Sequence, residues 1–174
     1  ITGVSSATSD GSYKAADVIA ITITFDENVT VAGTPQLTLE TGASDAVVDY
    51  SSGSGTSVLT FNYTVASTNT SADLDYISTT ALSLNSGTIK DLAGNSATLT
   101  LSLLDVGGCR SANKAFIIDT TAPTITGVSS ATSDGSYKAA DVIAITITFD
   151  ENVTVAGTPQ PTLDIGASDA VYHY

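Results

Sequence analysis

The residues of this chain best equipped for chemistry are carboxylates gathered into short clusters. The first cluster is Asp10-Gly11-Ser12-Tyr13-Lys14-Ala15-Ala16-Asp17, before the second expected strand, the second is Phe25-Asp26-Glu27-Asn28-Val29, at the end of that strand, and the third is Asp91-Leu92-Ala93-Gly94-Asn95. Asp73, Asp75 and Asp119 add to them. Carboxylates, asparagine and loop carbonyls are hard oxygen donors of the kind that surround Ca²⁺, about six to eight at a time. Imidazole and thiolate are nearly missing, which disfavours zinc and copper. The alternative for each aspartate is a turn residue that caps its own backbone. No EF-hand spacing is present, so clustering alone carries the calcium reading.

A long internal repeat positions these clusters. Residues 125–174 match residues 1–50 at an offset of 124, and five of the fifty positions differ: Leu37/Pro161, Glu40/Asp164, Thr41/Ile165, Val48/Tyr172 and Asp49/His173. Fidelity of this kind marks a tandem array, with a unit of about 124 residues, a normal domain size. The chain therefore reads as a complete domain over 1–119, a linker over 120–124, and the first part of a second, near-identical repeat over 125–174. It resembles a window cut from a longer array.

Within the unit the apolar pattern has period two. Ile19, Ile21, Ile23 and Phe25 alternate with Ala20, Thr22 and Thr24; Leu59, Phe61, Tyr63 and Val65 alternate with polar residues; Leu99, Leu101 and Leu103 do the same. Such alternation predicts strands with one buried and one wet face. Weaker strands are expected near 2–6, 36–41, 46–51, 81–90 and 115–119. Asp10-Gly11, Ala32-Gly33-Thr34-Pro35, 42–45, 51–57 and 91–95 carry turn chemistry. The excursion 104–114, with Gly107-Gly108-Cys109-Arg110, has no clear pattern. Seven or eight short strands in one unit predict an all-β, immunoglobulin-like β-sandwich. Pro161, in place of Leu37, should put the third strand of the second copy at an edge or shorten it.

Composition narrows the function classes. Eighteen acidic residues face five basic ones, for a net charge of −13. No basic patch exists to displace counterions from nucleic acid. No apolar run is long enough to span a bilayer as a helix. Cys109 is the single cysteine, so no intrachain disulfide forms. The single histidine, His173, has Asp49 as its counterpart in the complete unit, so no site needing histidine can exist there. Nucleophile-elbow, P-loop and dinucleotide motifs are absent, and the expectation is a protein that is not an enzyme. Asn28, Asn62, Asn69 and Asn152 begin N-glycosylation sequons, matches that chance alone supplies in a chain so rich in Ser and Thr.

Sandwich topology adds an expectation about the joint. The chain leaves such a sandwich at the end opposite to its entry. Asp119 should then lie between the Asp10–Asp17 loop of its own domain and the Asp150-Glu151 loop of the next. Carboxylates converging there would repel each other without a cation and lock the domains end to end with one. Residues 125–174 supply only about four strands, so Ile143, Ile145, Ile147 and Phe149 are expected to face water.

Several stretches together are distinctive: Ile118-Asp119-Thr120-Thr121-Ala122-Pro123-Thr124, Asp10-Gly11-x-Tyr13-Lys14, Phe25-x-Glu27-x-Val29, Gly33-Thr34-Pro35-x-Leu37-x-Leu39, Tyr50 with Gly53-Ser54-Gly55-Thr56, Leu59-Thr60-Phe61-x-Tyr63-x-Val65, and Gly87-Thr88-Ile89-x-Asp91-x-Ala93-Gly94-Asn95. As a set they resemble the bacterial immunoglobulin-like tandem repeats of giant secreted surface proteins, many of them adhesins. The resemblance spans the whole repeat, although Gly108-Cys109-Arg110 departs from the pattern. It implies an extracellular, calcium-stiffened extender at the cell surface, whose partners are neighbouring repeats of the same chain. By the same resemblance the Ca²⁺ ligands are Asp10, Asp17, Glu27, Asp91, Asn95 and Asp119, with copies at Asp134, Asp141 and Glu151. A self-assembling subunit of an extracellular filament or surface layer, completed by strands from identical molecules, is the alternative. A carbohydrate-binding or hydrolytic module is a third.

Overall fold

A computed structural model describes residues 1–102, 114–165 and 170–171. The expectations for Leu103, for the excursion 104–114 apart from Lys114, and for His173 lie outside the described residues. The chain divides into two compact units, Ile1–Thr120 and Thr121–Tyr174. No helix occurs among the described residues.

The first unit is built on alternation. Strand β1 (Gly3–Ser6) is followed by β2 (Gly11–Tyr13), β3 (Val18–Ala32), β4 (Gln36–Glu40), β5 (Ala46–Ser52), β6 (Thr56–Thr64), β7 (Asp75–Tyr76), β8 (Leu82–Ser83), β9 (Thr88–Asp91) and β10 (Phe116–Ile118). Eight of them form one antiparallel sheet in the order β1-β3-β6-β5-β4-β7, with β9 joining β3 and β8 joining β4. The sheet curls because β3 changes partner part-way along. Its first half pairs with β6 from Val18↔Thr64 to Thr24↔Val58; beyond a register shift, Val29–Ala32 pairs with β9. A bulge of this kind bends a strand and increases its twist. The apolar faces thereby turn onto one core of Val4, Ile19, Ile21, Ile23, Phe25, Leu59, Phe61, Tyr63, Leu37, Leu39, Leu74, Tyr76, Phe116 and their neighbours.

Several local expectations need correction. Phe25-Asp26-Glu27-Asn28-Val29 does not end the strand; it is the bulge inside β3, and the shift between Thr24 and Val29 absorbs its exposed polar residues. Gly11–Tyr13, expected within the Asp10–Asp17 loop, is a strand parallel to β10, with Gly11 opposite Phe116 and Tyr13 opposite Ile118. The Tyr13 ring meets Phe116 edge-on, centroids 5.6 Å apart. The strand expected over 81–90 is two strands, β8 and β9. Asn85 and Ser86 break it with positive φ of 44° and 64°, and Gly87 allows close approach, since a Cβ there would stand 2.4 Å from the Ala32 carbonyl oxygen. Leu101 is buried as the alternation required and donates its N–H to the Thr79 carbonyl, but residues 99–102 form no ladder.

The second unit contains β11 (Ile125–Ser130), β12 (Ile145–Phe149), β13 (Thr162–Leu163) and β14 (Ala170–Val171), arranged as two separate antiparallel pairs, β11 with β12 and β13 with β14. Both pairs keep the first unit's register. Val128 faces Ile147 as Val4 faces Ile23, and Leu163 faces Ala170 as Leu39 faces Ala46. Pro161 precedes a two-residue strand where Leu37 lies inside a five-residue one, in keeping with the ladder hydrogen bond that proline cannot donate.

Candidate functional site

The ligand residues expected in the first unit fall into three groups; Asp73 and Asp75, named with them, lie apart, in the segment before β7 and in β7. Asp10 precedes β2, where its carboxylate lies 3.7 Å from Lys114 Nζ, which also donates to the Thr8 carbonyl at 3.0 Å. Asp17 closes a turn on Lys14. Its Oδ2 accepts the Lys14 backbone N–H at 2.9 Å, its Oδ1 lies 3.3 Å from Lys14 Nζ, and the turn is shaped by Ala16 at φ 73°. The Lys14 backbone hydrogen bond, helped by the ammonium, holds the Asp17 carboxyl below its ordinary value. Asp119 follows β10 and donates its N–H to the Tyr13 carbonyl at 3.0 Å, so it stands at the Lys14 end of β2. Three residues of strand extend about 10 Å. Asp119 therefore shares its end of the β2–β10 pair with the Lys14–Asp17 turn, while Asp10 occupies the other end.

The third group is brought together by tertiary structure. Asp26 and Glu27 on the β3 bulge line a cleft of about 220 Å³ with Ile1, Asp91 and Asn95. The bulge and the loop after β9 meet because Val29 pairs with Asp91. Asp91 is clamped by Asn95: Oδ1 accepts the Asn95 backbone N–H and Oδ2 its Nδ2, each at 2.7 Å. These bonds, the side-chain one foremost, hold the Asp91 carboxyl below its ordinary value. Bonds that favour the charged form are present above the unfolded carboxyl's pKa and are lost as pH falls through the lower folded value. The Asp91 carboxyl is thus expected to titrate below 3.8 when followed by NMR, and Asn95→Ala should move it back toward that value. An unchanged midpoint in the variant would show that Asn95 does not hold it.

The second unit repeats what is local. Asp141 Oδ2 accepts the Lys138 N–H at 3.0 Å, as Asp17 does from Lys14. Asp134 and Glu151 are exposed. Asp150, the counterpart of Asp26, holds the linker residue Thr124, whose N–H and Oγ1 reach its two oxygens at 2.8 and 2.6 Å. The Thr124 side chain foremost lowers the Asp150 carboxyl's pKa. Among the described residues, no three His, Cys, Asp or Glu side chains form a ready metal-holding group. The donors that do gather at the cleft are oxygens throughout, the chemistry of Ca²⁺ rather than of zinc.

The chain matches no protein-family model, no curated protein and no solved structure.

One residue of structural weight escaped sequence reasoning. Asn69, which begins a sequon, is buried, and both its side-chain oxygen and nitrogen are hydrogen-bonded. Its Oδ1 accepts from the buried Tyr63 hydroxyl and from the Ala66 N–H, both at 2.9 Å, and its Nδ2 donates to Thr41 Oγ1 at 3.2 Å. Its carbonyl accepts the Thr120 hydroxyl at 2.9 Å. Burial raises the Tyr63 phenol to about 12. The loop around Asn69 also grips β10, since Ser71 and Ile118 exchange backbone hydrogen bonds and Leu74 donates to the Phe116 carbonyl. An asparagine so placed anchors the domain's exit and is closed to glycosylation in the folded protein. The hint in the sequence was Asn69 within Ala66-Ser67-Thr68-Asn69, directly after a strong strand, a position suited to side-chain-capped turns.

Proposed function

We propose that this chain is part of a structural extender: an immunoglobulin-like sandwich repeated in tandem in an extracellular bacterial surface protein or adhesin, and stiffened by calcium at its joints. The anchoring of the linker carries the reading. Thr120 is tied to Asn69 in the first unit, and Thr124 is tied to Asp150 in the second. Only Thr121, Ala122 and Pro123 stand between the two anchors, and proline restricts φ among them. A linker this short and this firmly held suits transmission of length and force rather than free swivelling. The oxygen donors Asp26, Glu27, Asp91 and Asn95, and Asp119 beside the Lys14–Asp17 turn, would supply ligands. The expected role is structural and non-enzymatic, consistent with a single histidine whose counterpart is Asp49.

Small-angle scattering on a chain of two complete repeats tests this. With Ca²⁺ the particle should be extended and stiff; in chelator its interdomain distances should broaden. Asp119→Ala should reproduce the chelator's effect in the presence of Ca²⁺, because a lost ligand leaves the remaining carboxylates uncompensated. Profiles indifferent to chelator would remove calcium from the joint. The alternative is a self-assembling subunit of an extracellular filament or surface layer, completed by strands from identical molecules. A purified chain of 174 residues that polymerises end to end would favour it.

A further inference from the structure

The chain leaves the first unit through β10, and β10 is held on both flanks. On one flank lies β2, a strand of three residues from the other end of the same unit. The two run parallel, Gly11 beside Phe116 and Tyr13 beside Ile118. Gly11 donates its N–H to the Ala115 carbonyl and Asp119 donates to the Tyr13 carbonyl, each at 3.0 Å. On the other flank Ile118 and Ser71 exchange backbone hydrogen bonds at 2.8 and 3.0 Å, and Leu74 donates to the Phe116 carbonyl at 2.9 Å. Successive N–H groups of a strand point to opposite flanks. With Ile118 donating to Ser71, the Ile117 N–H is turned toward β2, as the evenly spaced parallel pattern requires. Phe116 and Ile118 are buried, whereas the Ile117 side chain is 46% exposed.

The direction of the two strands decides how they carry load. Tension applied between Ile1 and Thr120 reaches β2 from its N-terminal end and β10 from its C-terminal end. Because the strands are parallel, these pulls are opposed along one axis, and the strands must slide past each other to part. Their hydrogen bonds then share the load together, whereas a hairpin opened from its mouth loses its bonds one at a time. On the entry side β1, paired with β3, lies ahead of β2. If β1 slides first, the load passes to β2; if the exit yields first, the load is on β10. Both routes meet at the same pair. We propose that the parallel β2–β10 pair is a shear lock, the contact whose rupture sets the first unit's resistance to being pulled apart by its ends. The lock is made of backbone groups within one unit and uses no calcium. It goes beyond the extender reading, because the strength of a unit and the stiffness of a joint can fail separately.

Single-molecule stretching of the 174-residue chain, held at its two ends under constant load in chelator, tests it. Opening of the lock is recognised by a length gain of roughly 350–390 Å, the extended span of residues 11–118. Asp119→Pro removes one N–H from the pair just past Ile118, and proline there is compatible with the extended residue before it. Its unfolding rate at a fixed load should rise about tenfold, the effect of one such bond. Ile117→Pro should do the same without removing a buried side chain. Asp119→Asn keeps the backbone and should match the parent. Leu37→Ala is the control for plain loss of stability, since Leu37 is fully buried in β4. It should lose more stability in denaturant than either proline variant. Its rate under load should nevertheless stay within about threefold of the parent, because its contacts are still in place when the lock gives way. Proline variants within about twofold of the parent's rate would overturn the proposal. So would a Leu37→Ala rate that rises in full proportion to its lost stability, since the barrier would then lie in the core. Should Ile117→Pro fail to fold, Asp119→Pro, outside the strand, carries the test.

Discussion

Replacing Asn69 with alanine is expected to lower the stability of the first unit by about 3 kcal/mol, the sum of several buried polar groups left without partners at about 1–3 kcal/mol each. The Tyr63 hydroxyl and the Ala66 N–H lose the oxygen they share, and Thr41 Oγ1 loses a donor. For a domain of this size the midpoint of thermal unfolding should fall by roughly 10 °C. The network predicts a signature that simple loss of packing would not. Tyr63→Phe should be costly in the parent and nearly neutral in the Asn69→Ala background, because the orphaned hydroxyl is then removed. Thr41→Ile, the change found at Ile165 in the second copy, should also destabilise the first unit, since it removes the acceptor of Asn69 Nδ2 and the donor to the Ser44 carbonyl. A midpoint within about 2 °C of the parent for Asn69→Ala would show that the network contributes little. The consequence extends to the joint, because the Asn69 carbonyl holds Thr120 and its loop holds β10.

Native-state hydrogen exchange on the chain alone should separate two identical sequences by a factor of about a thousand or more. The amides of Ile19, Ile21 and Ile23 lie beside β6, with β1 on the other side of Ile21 and Ile23, over fully buried side chains. They should exchange only through global unfolding of the first unit. The amides of Ile145 and Ile147 lie in a two-stranded sheet and Ile143 precedes it, all three with exposed side chains, and an isolated hairpin is marginally stable in water. Phe149, expected to face water, is half-buried; leaving the three isoleucines open forfeits on the order of 4–9 kcal/mol of burial, comparable to the stability of a whole domain. Equal protection of the two segments would mean that Ile143, Ile145 and Ile147 are covered in solution.

Much of the candidate site was legible in the residues because it is local. The Lys14–Asp17 turn needs only a short polar side chain folding back on its own backbone, and it recurs almost unchanged at Lys138–Asp141. The Asp91–Asn95 clamp is likewise contained within five residues. The meeting of Asp26 and Glu27 with Asp91 could not be read in this way. It depends on β3 bulging after Thr24 and changing partner from β6 to β9, an event set by strands far along the chain. The role of Asn69 was not legible for the same reason: its motif is visible, but its burial depends on Tyr63 and Thr41 arriving from other strands.

The two copies separate the contributions cleanly, since their shared sequence differs in what surrounds it. Turn geometry at Ala16 and Ala140, the hairpin register of β1–β3 and β11–β12, and the capping bonds Thr8–Ala20 and Thr132–Ala144 recur in both. These the sequence determined by itself, because short-range sterics and hydrogen bonds act within reach of the residues that make them. Among the described residues, the long strand, the burial and the parallel β2–β10 pair belong to the first unit. Gly11–Tyr13 is a strand beside β10, whereas 135–137 is not, and β3 extends over fifteen residues where β12 extends over five. Tertiary structure alone decided these, because a strand's backbone groups and apolar face are satisfied by partners distant in the chain, and identical residues without those partners stay exposed.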